Sequence, residues 1–296
     1  MKKVVLGALV LLIVGLVGSV ATASFSDVFS VNTVEVYEEK TVKANSVETI
    51  DVNLSSTDLH FEPISGDDII VELSGSVSKK IKDQYELVVD QKGDRLEVSL
   101  DKLDVMFYVG VTRIDLNLTL KLPEKIYHSI LIEASSADVE MRDLRLSEVR
   151  TKVSSGDVRF ENISTEEIVL ETSSGDIQII KSKADLFNLA ASSGDVIMED
   201  LKGDITVNTN SGSISLENEE VSGNMDFTAT SGDVNVHFKS KPTAISLDFK
   251  GTSGEGNVSV EGFNYSEKSE ERIIGNIGNA SHELKVRTTS GDFSLN

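Results

Sequence analysis

Val149-Arg150-Thr151-Lys152-Val153-Ser154-Ser155-Gly156-Asp157-Val158-Arg159-Phe160 is answered nineteen residues later by Ile168-Val169-Leu170-Glu171-Thr172-Ser173-Ser174-Gly175-Asp176-Ile177-Gln178-Ile179. The same turn returns as Ser192-Ser193-Gly194-Asp195, Thr230-Ser231-Gly232-Asp233 and Thr289-Ser290-Gly291-Asp292. The fixed turn position falls at 137, 156, 175, 194, 212, 232, 254 and 291, in steps of 19, 19, 19, 18, 20, 22 and 37, the last close to a doubled step. A unit this short cannot bury an apolar face by itself, so each copy must stack on its neighbours.

Before the turn, apolar or β-branched residues recur at every second position: Val149, Thr151 and Val153, then Ile168, Leu170 and Thr172, then Phe187, Leu189 and Ala191, then Ile205, Val207 and Thr209. A period of two is one strand with one buried face. After the turn a second strand follows, with Val158 and Phe160, Ile177 and Ile179, Val196 and Met198, Ile214 and Leu216, and Val234 and Val236 inward. The third residue before the turn is always small or β-branched, which suits a corner where two faces converge, and Leu144, Ile163 and Leu201 sit where the chain bends back. The predicted fold is therefore all-β, a β-solenoid of about 19-residue coils stacked about 4.8 Å apart, with Gly156, Gly175, Gly194, Gly212, Gly232, Gly254 and Gly291 as structural turns in a column.

Composition narrows the chemistry. The chain has no Cys and no Trp, and only 5% of its residues are aromatic. Disulfides, thiolate metal sites, Cys nucleophiles and a lipidated N-terminal Cys are excluded, and an aromatic sugar-stacking cleft is disfavoured. A net charge of −21 argues against nucleic acid as a partner.

Met1-Lys2-Lys3 precedes an uncharged run over 4–23, about the length that crosses a bilayer as a helix, and the two lysines place that end in the cytoplasm. Ala21-Thr22-Ala23 also resembles a signal-peptidase site. The reading is a membrane anchor or signal segment at 1–23, single-pass with the C-terminal domain extracellular, or alternatively secreted after cleavage at Ala23. Residues 24–45 read as a stalk turning into a strand near Thr33 to Glu38, and 46–121 as a first coil, around Ile50, Val52, Leu54, Asp58 and Phe61, followed by an antiparallel β cap. In that cap Asp68 to Ser76, Tyr85 to Asp90, Arg95 to Leu100 and Arg113 to Leu122 are strands, and Lys92-Gly93-Asp94 is a hairpin turn. Residues 122–296 are the regular solenoid, broken by an expected solvated loop at 261–282. The chain ends half a coil after Gly291, so its last strand must be covered by another element or left exposed.

These turns, the Leu122-Pro123-Glu124 lead-in and the terminal Gly275-Asn276-Ile277-Gly278…Thr289-Ser290-Gly291-Asp292 resemble the bacterial putative-adhesin β-solenoid family over most of 46–296. The resemblance implies an exported or membrane-linked protein, in some members tied to cell-envelope stress, and supplies no active-site motif.

Asp138, Asp157, Asp176, Asp195, Asp233 and Asp292 form a column interrupted by Ser213 and Glu255. Carboxylates one coil apart repel, so either Ca²⁺ bridges them or each folds onto turn N–H groups and faces water; the second reading is favoured, because one Asp per coil is a sparse ligand supply. His60, His128, His237 and His282 share no motif, and the turn serines lack a partner base. No cofactor is expected. The leading functional reading is a non-enzymatic, membrane-anchored surface scaffold that meets an envelope component, a membrane protein or another copy of itself. The alternatives are an envelope-stress sensor and a polysaccharide-active enzyme on a β-helix.

Overall fold

The computed structural model describes residues 32–102 and 112–296. The anchor or signal segment expected at 1–23 and the first part of the 24–45 stalk lie outside the described residues. Among the described residues no helix is long and apolar enough to cross a membrane.

The described residues form two facing sheets, one of 12 strands and one of 13. In each regular coil the strand before the turn lies in the larger sheet and the strand after it in the smaller one. Leu146–Ser155, Glu167–Ser174, Lys183–Ala191, Lys202–Thr209 and Met225–Ala229 run parallel in sequence order in the first. Val158–Glu161, Ile177–Ile180, Val196–Glu199, Ile214–Asn218 and Val234–Phe238 do the same in the second. Pairing is in register by one repeat: Val149 faces Ile168, and Val158 faces Ile177. The two inner faces meet in one continuous core, in which Phe160, Ile179, Leu189, Val207 and Val236 are fully buried.

Strands Thr49–Leu54 and Asp58–Ile64 make the early coil, pairing in parallel with Tyr127–Ser136 and Val139–Arg142 across the intervening sequence. Outside them Ile114–Pro123 joins the smaller sheet beside Asp58–Ile64, and Arg95–Lys102 joins the larger one beside Thr49–Leu54. Antiparallel strands then complete this end. Asp68–Ser78 and Thr33–Lys43 extend the smaller sheet, and Tyr85–Lys92 forms a hairpin with Arg95–Lys102 through Gly93. The second half of the expected stalk is thus an eleven-residue edge strand, because Val34, Val36 and Val42 alternate and pack against the core.

At the other end the order of strands departs from the order of sequence. The coil built from His282–Thr288 and Phe293–Leu295 lies between the coil of Met225–Ala229 and Val234–Phe238 and the coil of Ile245–Lys250 and Gly256–Val258. The 37-residue step to Gly291 therefore leads back into the stack, and the last strand is paired on both sides.

The loop expected at 261–282 is corrected by the structure. Asn264–Lys268 and Arg272–Ile277 form an antiparallel hairpin that adds to Ile245–Lys250 at the end of the larger sheet. Ile273 and Ile277 are buried on the inner side, whereas Asn264–Lys268 is exposed throughout, so the charges from Glu267 to Glu271 belong to a solvated edge and its turn, and Arg272 to the inner strand.

Candidate functional site

The most regular chemical feature is the turn edge of the stack. Its glycines are required by contact: a Cβ on Gly175 would lie 2.0 Å from the Gly156 carbonyl oxygen, and one on Gly194 would lie 1.9 Å from that of Gly175. The chain of contacts runs from Ala137 through Gly156, Gly175, Gly194, Gly212, Gly232 and Gly291 to Gly254. Only Gly156 of these has a positive φ, 147°, so close stacking of backbones, rather than a left-handed turn, excludes side chains there.

The aspartates that follow hold neighbouring coils together. The amide of Asp157 donates to Asp138 Oδ1 at 2.9 Å, that of Asp176 to Asp157 at 2.8 Å, that of Asp195 to Asp176 at 2.8 Å, and that of Ser213 to Asp195 at 2.8 Å. Asp58 extends the series backwards by accepting the Asp138 amide at 3.0 Å. At the far end the Asp292 amide donates to Asp233 and the Glu255 amide to Asp292, each at 2.9 Å. The carboxylates thus accept N–H groups, as turn aspartates do, but those of the adjacent coil instead of their own turn. Among the described residues no group of three or more His, Asp or Glu side chains is arranged to hold a metal ion.

The opposite edge carries a column that the sequence reading missed. Asp143, Asn162, Lys181 and Asp200 adopt left-handed φ values of 57°, 55°, 49° and 52°, and Asn162 Nδ2 donates to Asp143 Oδ1 at 2.5 Å. Asn and Asp tolerate this conformation, and their recurrence six residues after the turn position was the available signal. Beneath that bend Leu144, Ile163 and Leu201 are buried as expected. Ser182 replaces an apolar residue there, and Asn218 stands level with Asp200 but turns inward; they satisfy the amides of Ile163 and Leu201 at 3.0 and 2.9 Å.

The histidines are not brought together. His60 Nδ1 lies 3.2 Å from Glu140 Oε2, while His128 and His237 are exposed elsewhere. The outer faces offer open grooves. One of about 500 Å³ follows the turn edge of the larger sheet and is lined by Lys152, Glu171, Ser173, Ser192, Asn208 and Asn210 among others. A second, of about 670 Å³, lies at the bend edge beside Pro63, Pro123, Ile126 and Arg145. The first crosses successive coils with a mixed polar and apolar lining, and the second has a mainly polar one.

The family model described as Toastrack DUF4097 matches residues 47–296. Among curated proteins none matches the sequence. Among solved structures, a putative adhesin from Bacteroides fragilis aligns with a TM-score of 0.54 at 11% identity, covering 88% of this chain and 97% of that one. A putative lipid binding protein from Parabacteroides distasonis aligns with a TM-score of 0.46 at 14% identity, covering 88% and 96%. A putative cell adhesion protein from Clostridium sporogenes aligns with a TM-score of 0.29 at 16% identity, covering 88% and 99%. The first of these likenesses supports a shared fold.

Proposed function

This chain belongs to the Toastrack DUF4097 family, and from that membership we propose that it is a non-enzymatic surface protein. It is anchored in the cell membrane through residues 4–23 and holds its stack outside as a rigid binding scaffold. One observation carries the reading: the most repeated functional group of the sequence, the turn carboxylate, is engaged in bonds between coils from Asp58 to Asp292. A side chain that fixes one layer to the next contributes rigidity, and a rigid ladder with broad polar faces suits contact with an extended envelope component, a membrane protein or a second copy. The antiparallel strands at the N-terminal end act as a cap, since an open solenoid end would expose unpaired backbone groups. The adhesin description carried by the Bacteroides fragilis protein of the same fold is in line with this.

The full chain, expressed in a bacterium, is expected to stay with the membrane after an alkaline wash, to be cleaved by protease added outside, and to retain isolated cell-wall polymer without shortening it. Shortening of the polymer that disappears on substituting one carboxylate pair overturns the non-enzymatic reading. A mature form beginning at Ser24 overturns the anchor.

A further inference from the structure

Among the described residues four strands stand at the ends of the two sheets: Thr33–Lys43 and Gly256–Val258 in the smaller, Tyr85–Lys92 and Asn264–Lys268 in the larger. Thr33–Lys43 is the longest of them, at 11 residues. Its ladder with Asp68–Ser78 fixes where its backbone points. The pairing continues past both ends, where the Ala44 amide donates to the Asp67 carbonyl at 3.0 Å and the Lys79 amide to that of Asn32 at 2.8 Å. Directly opposed residues of an antiparallel ladder alternate between bonded and unbonded pairs. Asn32, Ala44 and the even-numbered residues between them therefore turn their N–H and C=O groups toward Asp68–Ser78. Those of Thr33, Glu35, Tyr37, Glu39, Thr41 and Lys43 point outward, and among the described residues no strand meets them. On the inner face Val34, Val36 and Val42 pack against the core yet stay partly exposed, with Glu38 and Lys40 between them.

We propose that this edge pairs antiparallel with the same edge of a second copy, with the dyad at Glu39, so that the smaller sheets of two chains become one. The proposal rests on the reading above only in taking the chain as a binding scaffold, and it names the partner. Outward residues must oppose outward residues, which restricts a twofold pairing to registers centred on one residue of the strand. Centred on Tyr37, Glu35 would face Glu39; centred on Glu38, that residue would face itself and Val36 would face Lys40; centred on Lys40, the lysine would face itself. Centred on Glu39, Glu35 faces Lys43, Val36 faces Val42, Tyr37 faces Thr41 and Glu38 faces Lys40. Opposite charges and apolar pairs across strands stabilise a sheet, and like charges oppose it. The one like pair is Glu39 with itself; Tyr37 Oη donates to this carboxylate at 2.8 Å, and the neighbouring Glu72 is held by Lys121 at 2.8 Å. Each lysine already has partners in its own chain. Lys40 lies 3.4 Å from Glu38 and donates to the Leu87 carbonyl, and Lys43 lies 2.7 Å from Asp68, so the second copy adds a further carboxylate to each. Charges pointing inward on an edge strand ordinarily keep other strands away. Here they complement their own copy and repel strands that lack the pattern.

The chain has no Cys, so single cysteines report the pairing in the full-length protein, in membranes of an expressing bacterium. Glu39→Cys is expected to give a disulfide-linked dimer on mild oxidation. Glu35→Cys should give about tenfold less, because the two copies of residue 35 lie about 26 Å apart along the strands. In the Glu39→Cys background, Glu38→Lys and Lys40→Glu should each lower the yield about tenfold, as two attractive pairs become repulsive. Co-expressed with tags of different size, these two variants should restore it as a mixed dimer, which also shows that both fold. Equal linking through Glu35→Cys and Glu39→Cys, an unchanged yield in Glu38→Lys, or a mixed pair that stays unlinked overturns the proposal. Linking of Glu39→Cys to a different protein alone also overturns it, in favour of another strand donor. If the chain leaves the membrane as a secreted form, the anchor fails separately, and the same linking is read in the medium.

Discussion

Asp233 accepts the backbone amide of Asp292 at 2.9 Å across 59 residues of sequence, the same bond that Asp138 makes to Asp157 across 19. The terminal coil is thus chemically an ordinary layer, placed out of order. Phe293 within it is 1% exposed and stacks on Phe249 of the next layer at 4.9 Å between ring centroids. Phe293→Ala should cost about 3 to 5 kcal/mol. Removal of residues 282–296 should release 245–277 altogether, because Ile245–Lys250 loses its parallel partner and Met225–Ala229 is left with an open edge. Limited proteolysis checks both, and a truncated chain still protected over 245–277 would refute the insertion.

Two glycines separate steric from conformational need. A Cβ on Gly175 meets a backbone oxygen at 2.0 Å, whereas Gly93 has a φ of 68° and nothing within 4 Å. Gly175→Ala is expected to destabilise by about 3 kcal/mol or more, since the obstacle is backbone that can yield only by spreading the layers. Gly93→Ala should cost about 1 kcal/mol, the ordinary penalty of a left-handed alanine. Urea midpoints of the two variants measure the difference.

Asp176 tests what the column is for. It needs an acceptor oxygen for the Asp195 amide and gains nothing from its charge in a row of like charges. Asp176→Asn should therefore be neutral within about 0.5 kcal/mol, while Asp176→Ala should lose about 1 kcal/mol with the bond. By the same argument thermal melting should give one midpoint with calcium and with chelator. A midpoint raised by calcium and abolished in Asp176→Asn would restore the cation reading.

Asp248 supplies a pH dependence. Burial pushes its carboxyl up, but hydrogen bonds from Arg287 and Arg272 outweigh this and hold it below the ordinary 3.8. Arg287 Nη2 reaches Oδ2 at 2.8 Å, and Arg272 reaches Oδ1. A carboxyl depressed in the folded state stabilises fully above its unfolded value, and that contribution is lost as the pH falls through the folded one. Asp248→Asn should thus be about 1 to 2 kcal/mol less stable at neutral pH, a figure reduced for partial exposure, with the gap to the parent closing below pH 3.8. Urea denaturation at several pH values reads it out, and a gap that stays constant would exclude this cause.

The coils from Val149 to Val236 were legible because every layer repeats the same demand at the same register, so Gly, Asp and the inward Val, Ile and Leu recur as columns. The insertion of Phe293 was not, since a coil added in the middle has the same internal pattern as one added at the end. The hairpin at Asn264–Ile277 was hidden for another reason: one of its strands is exposed on both faces and shows no alternation. Ser182 and Asn218 each solve a problem of a single layer, the free amides of Ile163 and Leu201, and a role without repetition leaves no periodic trace.

From Tyr127 onward, a polypeptide made from its N-terminus can add layers in order only as far as Phe238. Residues 245–277 can pair with one another as an antiparallel sheet, but they have no neighbouring layer of the stack to join until 282–295 have been made. Synthesis of His282–Leu295, not of any one layer before it, is then the event that lets the outer tip close.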